Sequence, residues 1–73
     1  ITGTKSTITN RIRALRHQHN EMTQQALADR IGVSRPTVNA IEAAKYSPSL
    51  EVAFRIARVF DKAIEEVFQF HAP

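Results

Sequence analysis

Apolar residues recur along this chain at helical spacing, in short runs broken by small or polar residues. In the middle of the chain Leu27, Ala28 and Ile31 stand at i, i+1 and i+4, which makes one stripe on a helical surface. Gly32 is placed to end that helix, because glycine enters the left-handed conformation at little cost, and Val33 after it supplies an apolar side chain for the corner. Ser34 restarts a helix as its cap, and Pro36 falls in the first turn, where a missing N–H loses nothing. Val38 and Ile41 then face inward, leaving Arg35, Pro36, Thr37, Asn39, Ala40 and Ala43 on the outer side or the front end. The stretch from Thr23 to Lys45 therefore reads as two short helices joined by a tight turn.

Around it the pattern predicts three more helices. Ile8, Ile12 and Leu15 mark a first one, capped by Thr7 or Thr9, which loosens into a turn over His17 to Glu21. A fourth helix is capped by Ser49, with Pro48 outside it and Glu51 in its first turn. Leu50, Ala53, Phe54, Ile56, Ala57 and Phe60 give it a broad apolar face, the expected hub of the core. After Asp61-Lys62-Ala63 a last short helix runs from Ile64 to Gln69, with Ile64, Val67 and Phe68 pointing in. The expected fold is all-α, a compact bundle of five short helices containing a helix-turn-helix. A helix held by small apolar residues and showing arginine, threonine and asparagine on its outer face is suited to the major groove of DNA.

The run Ile31-Gly32-Val33-Ser34-Arg35, with Thr23, Gln24, Leu27, Ala28, Thr37, Val38, Ile41, Glu42, Lys45 and Tyr46-Ser47-Pro48-Ser49-Leu50-Glu51, resembles the helix-turn-helix regulators of the Cro and phage-repressor type, the Xre family, and is close to their compact bacterial members. The resemblance implies a lambda-repressor-like DNA-binding fold. It also implies roles for individual residues. Gln24 would donate to a phosphate and brace a residue of the third helix that touches a base. Arg16 and Glu42 would form a structural ion pair tying the first helix to the third. Lys45, Tyr46 and Ser34 would meet phosphates.

For base reading Arg35 leads, since its planar fork matches guanine O6 and N7, although the same side chain can clamp a phosphate instead. Asn39 can take adenine N6 and N7 together. Thr37 is better suited to the DNA backbone. Pro36 stands where many relatives carry glutamine, so it and Ala40 offer only apolar contact, for instance to a thymine methyl. Ala44 departs from the family too, which usually has glycine there for a left-handed helix end.

Length and composition narrow the picture without changing it. Seventy-three residues make one domain, 1–73, with an ordered core over about 8–69 and fraying expected at Ile1 to Ser6. A chain this short buries only about 60% of its unfolded surface and needs economical packing or a partner. There is no cysteine for a disulfide or a thiolate-bound metal, and no apolar run long enough to span a bilayer, which fits a cytoplasmic protein.

The net charge of +3 is mild, but Lys5, Arg11, Arg13, Arg16, Arg30, Arg35 and Lys45 all lie in the first 45 residues, facing only Glu21, Asp29 and Glu42. That amino-terminal part is the side an acidic polymer would meet. His17 and His19 are two apart, which on a helix points them roughly 200° from each other and away from a shared metal. No paired carboxylate, activated nucleophile or phosphate-cradling glycine loop suggests an enzyme, and no metal or cofactor is expected.

The leading expectation is therefore a sequence-specific DNA-binding transcriptional regulator, a repressor acting as a homodimer. The alternative is a protein-interaction module such as the antitoxin-like partner of another chain. Dimerisation through carboxyl-terminal residues including Phe68 and Phe70 follows from small size and from four phenylalanines near the end of the chain.

Overall fold

The computed structural model describes residues 7–71; Lys5 and the fraying expected at Ile1 to Ser6 lie outside the described residues. Five helices follow one another: α1 (Ile12–Gln18), α2 (Gln24–Ile31), α3 (Arg35–Glu42), α4 (Leu50–Val59) and α5 (Ile64–Val67). Two short strands, β1 (Ile8–Asn10) and β2 (Phe68–Phe70), bracket them and pair antiparallel.

The strands correct the two ends of the expected pattern. Ile8 is not part of the first helix, and the last helix stops at Val67, not Gln69. Phe68-Gln69-Phe70 alternates aromatic and polar residues, and Ile8 and Thr9 are β-branched, which favours extended backbone once a partner strand is available. Ile8 pairs with Phe70 and Asn10 with Phe68, and the ladder continues outward as His71 N–H donates to Thr7 C=O (2.8 Å) and inward as Arg11 N–H donates to Val67 C=O (2.9 Å). Neither threonine caps α1. Thr9 Oγ1 lies 2.7 Å from His71 Nε2, and the cap-like acceptor is Asn10 Oδ1, which takes the Ile12 N–H.

Helix starts behave as the cap residues require. Thr23, Ser34 and Ser49 accept from the backbone N–H of Ala26, Thr37 and Val52. At α5 the start is made differently, by Glu66 reaching back to accept the Ala63 N–H. Helix ends share one device. After α2, α3 and α4 the N–H of Val33, Lys45 and Lys62 reaches back to the carbonyl of Ala28, Ala40 and Ala57. In each case the residue before the donor is left-handed: Gly32 (φ +77°), Ala44 (φ +59°) and Asp61 (φ +54°). Only the first of these is a glycine.

The core joins Ile12 and Leu15 of α1, Leu27, Ala28 and Ile31 of α2, Val38 and Ile41 of α3, Ile56 and Ala57 of α4, and Phe60 and Val67. Met22, ahead of α2, joins it without having been expected. Two residues assigned to the core from the sequence are outside it: Leu50 is 70% exposed and Phe54 51%. The buried line of α4 is the narrower one through Ala53, Ile56, Ala57 and Phe60. Leu50 falls in the first turn beyond the edge of the core, and Phe54 turns about 100° away from Ala53.

Candidate nucleic-acid interface

The corner between α2 and α3 is fixed from beneath. Val38 and Ile41 are 1% exposed and lock one side of α3 against the core. Arg35, Pro36 and Asn39 are consequently exposed on the other side, with Thr37 and Ala40 half-buried between the two. At the front of α3 the Ser34 and Thr37 hydroxyls lie 2.9 Å apart, so both are engaged within the cap. Lys45 and Tyr46, just past the helix end, are exposed. Of the expected contact residues, Ser34, Arg35, Pro36, Asn39, Lys45 and Tyr46 are exposed, while Gln24, Thr37 and Ala40 are half-buried.

A hydrogen-bonded chain runs from the interior of this corner to its surface. Arg16 donates Nε to Glu42 Oε2 (2.6 Å), Nη2 to Glu42 Oε1 (3.1 Å) and Nη1 to the Met22 carbonyl (2.7 Å). The two side chains are only 9% and 8% exposed. Glu42 Oε1 also accepts from Gln24 Nε2 (3.2 Å), and the same nitrogen donates to Asn39 Oδ1 (3.3 Å). Gln24 Nε2 thus bridges the part-buried Glu42 carboxylate and the exposed Asn39 amide.

A second tie was not foreseen from the sequence. Asn10 Nδ2 donates to the Ile41 carbonyl (2.8 Å), so β1 holds the carboxyl-terminal end of α3. An asparagine just ahead of an apolar helix start is a capping signal, and that was the available clue. The remaining basic residues are dispersed. Arg11, Arg13 and Arg30 are exposed, while Arg16 is spent inside. His17 pairs with Glu21, His19 sets its ring edge-on to Phe60, and His71 lies against Thr9.

Gln24, Arg35, Pro36 and Asn39 together line a notch of about 220 Å³ where the start of α2 meets α3. Its walls combine guanidinium and amide donors with one apolar ring. That combination can hold the edge of a base.

A family model described as helix-turn-helix matches residues 12–67, from the start of α1 to the end of α5. An uncharacterised HTH-type transcriptional regulator of Archaeoglobus fulgidus is 50% identical over 60 residues, covering 82% of this chain and 83% of that protein. Another, from Methanocaldococcus jannaschii, is 49% identical and covers 81% of this chain and 88% of its own length. A Bacillus subtilis relative of the same description, YgzD, is 39% identical over 81% of this chain and 88% of its own. Among solved structures, a candidate DNA-binding protein from Bacteroides fragilis superposes with a TM-score of 0.72 over 85% of this chain and 98% of that one; at 22% identity it speaks for the fold alone.

Proposed function

The chain belongs to the helix-turn-helix family of the Cro and phage-repressor type, and from that premise we propose that it is a sequence-specific DNA-binding transcriptional regulator, a repressor that binds operator DNA as a homodimer with α3 in the major groove. In this reading residues 8–69 act as one DNA-binding unit. The observation that carries it is the corner itself: α3 is locked by Val38 and Ile41 while Arg35, Pro36 and Asn39 stand open to solvent. Arg35 reads a guanine edge, Lys45, Tyr46 and the Ser34 cap hold phosphates, Thr37 meets the DNA backbone at the helix front, and Ala40, farther along α3, offers an apolar contact. Gln24, Arg16 and Glu42 position the reading side chains from behind.

The dimer is supported by the carboxyl-terminal strand. Phe68 lines an apolar groove of about 300 Å³ together with Ile8, Pro48, Leu50 and Ile64. Phe70, two residues on, shares that face of β2, pairs with Ile8 across the sheet and is 69% exposed. A second copy covers this face and brings two α3 helices about 34 Å apart, one turn of DNA.

Selection of bound duplexes from a random pool tests the reading. It should yield a two-fold site with conserved half-sites. Binding should also weaken steeply with rising salt, because several phosphates are neutralised. A pool that yields no motif, with association indifferent to salt, would transfer this surface to the protein-interaction reading.

A further inference from the structure

We infer that Asn10 is a positioning residue for DNA binding: it clamps the strained carboxyl-terminal closure of α3, from which Lys45 and Tyr46 leave the helix. This rests on the DNA-binding reading above and deepens it. The Asn10 amide spans two backbone groups of different elements. Its Oδ1 accepts the Ile12 N–H at the start of α1 (3.2 Å), and its Nδ2 donates to the Ile41 carbonyl in the last turn of α3 (2.8 Å). One partner can only donate and the other can only accept, so the amide has a single orientation here.

For α1 alone an asparagine is not required, since serine or aspartate supplies the same kind of acceptor beside a helix start. Only an amide adds a donor on a second atom, and that donor meets α3. The end of α3 is where such a bond counts. The Ile41 carbonyl also takes the Ala44 N–H (3.0 Å), and the Lys45 N–H closes the turn on the Ala40 carbonyl (3.0 Å). This closure holds Ala44 at φ +59°, a left-handed conformation that its Cβ disfavours. Strain and hydrogen bonding oppose each other there, so one further bond from outside the helix decides how firmly the end stays closed.

The clamp has a fixed base, because β1 is paired with β2 and Arg11 N–H is bonded to the Val67 carbonyl. Strand and loop also meet closely: the crevice lined by Asn10, Ile41, Ala44 and Tyr46 measures about 10 Å³, the room of a single water. Lys45 and Tyr46 follow the closure directly and are exposed. Where the closure goes, their ammonium and phenol groups go too, and with them the phosphates they hold. Without the clamp the closed end is one conformation among several, and affinity falls with the fraction of molecules that have it.

The test uses Asn10→Ser, which keeps an acceptor for the Ile12 N–H, adds no charge and is too short to reach Ile41. Binding is measured well below the melting temperature, on the duplex that the wild-type protein selects from a random pool, with circular dichroism confirming that each variant is folded. Asn10→Ser should bind about three- to tenfold more weakly, as loss of one hydrogen bond implies. In a Lys45→Ala, Tyr46→Ala background the same substitution should cost less than twofold, because the groups it positions are gone; a general loss of folding would cost the same in both backgrounds. Ala44→Gly, which relieves the left-handed strain, should bring the Asn10→Ser variant to within twofold of Ala44→Gly alone. The inference is overturned if Asn10→Ser binds within threefold of wild type, if its cost is the same without Lys45 and Tyr46, or if Ala44→Gly fails to offset it. A wild-type protein that selects no duplex would remove the DNA-binding reading as well, which separates that failure from this one.

Discussion

Replacing Glu42 by alanine removes one partner of a nearly dry ion pair, and the structure permits a magnitude. Arg16 and Glu42 are 9% and 8% exposed, so the guanidinium left behind cannot recover its hydration without opening the contact between α1 and α3. It retains only the Met22 carbonyl, having lost both bonds to the carboxylate. Stranding a buried charge in this way costs about 3–5 kcal/mol, whereas losing an exposed pair costs about 0.2–1 kcal/mol.

A domain of 73 residues has about 4–11 kcal/mol of total stability at typical values per residue, so Glu42→Ala should remove about a quarter or more of it. At about 4–8 °C per kcal/mol for a domain of this size, the melting temperature should fall by at least about 12 °C. Urea and thermal unfolding followed by circular dichroism, at one fixed protein concentration, measure it. The apolar double variant Arg16→Met with Glu42→Leu should recover most of the loss, since the penalty comes from the stranded charge and not from missing volume. A single variant within about 1 kcal/mol of wild type, or a double variant as damaged as the single, would refute the argument.

Three further outcomes are expected. Ala44→Gly relieves an alanine held at φ +59° and should raise stability by about 0.5–1 kcal/mol, the left-handed penalty less the added flexibility of the unfolded chain; an unchanged or lower urea midpoint would mean that the loop carries no strain. Ser34→Ala deletes the oxygen that accepts the Thr37 N–H and should cost about 1 kcal/mol in the same assay. Phe70→Ser should shift sedimentation equilibrium toward monomer while leaving helical circular dichroism intact, and a variant as dimeric as wild type would exclude that side chain from the interface.

The central corner was legible because each of its signals is local. Gly32, Ser34 and Pro36 punctuate the chain at fixed offsets from a helical stripe, and no distant residue is needed to interpret them. The strands were not legible, because the evidence for β1 sits about sixty residues away in β2, and a three-residue segment gives no period of its own to count. Ile8 happens to stand four before Ile12, so helical spacing claimed it. The width of the α4 face was overread for a related reason. Periodicity reports which side of a helix is apolar but not how far the core extends along it, so Leu50 and Phe54 counted alike with Ile56. In the site, Arg16 and Glu42 were found through a resemblance, while the path from Glu42 through Gln24 to Asn39 depends on side-chain directions that spacing alone does not carry.

The pairing of β1 with β2 also bears on chain order. Because Thr7 and His71 are hydrogen-bonded neighbours at the outer end of the ladder, the described backbone is nearly a closed ring, interrupted at one seam. Sealing that seam with a short flexible tether and cutting elsewhere, in the turn between Phe60 and Ala63, would produce a circular permutant in which every helix keeps its neighbours. The corner between α2 and α3 lies about halfway round the ring from the seam, so such a cut should leave its packing intact.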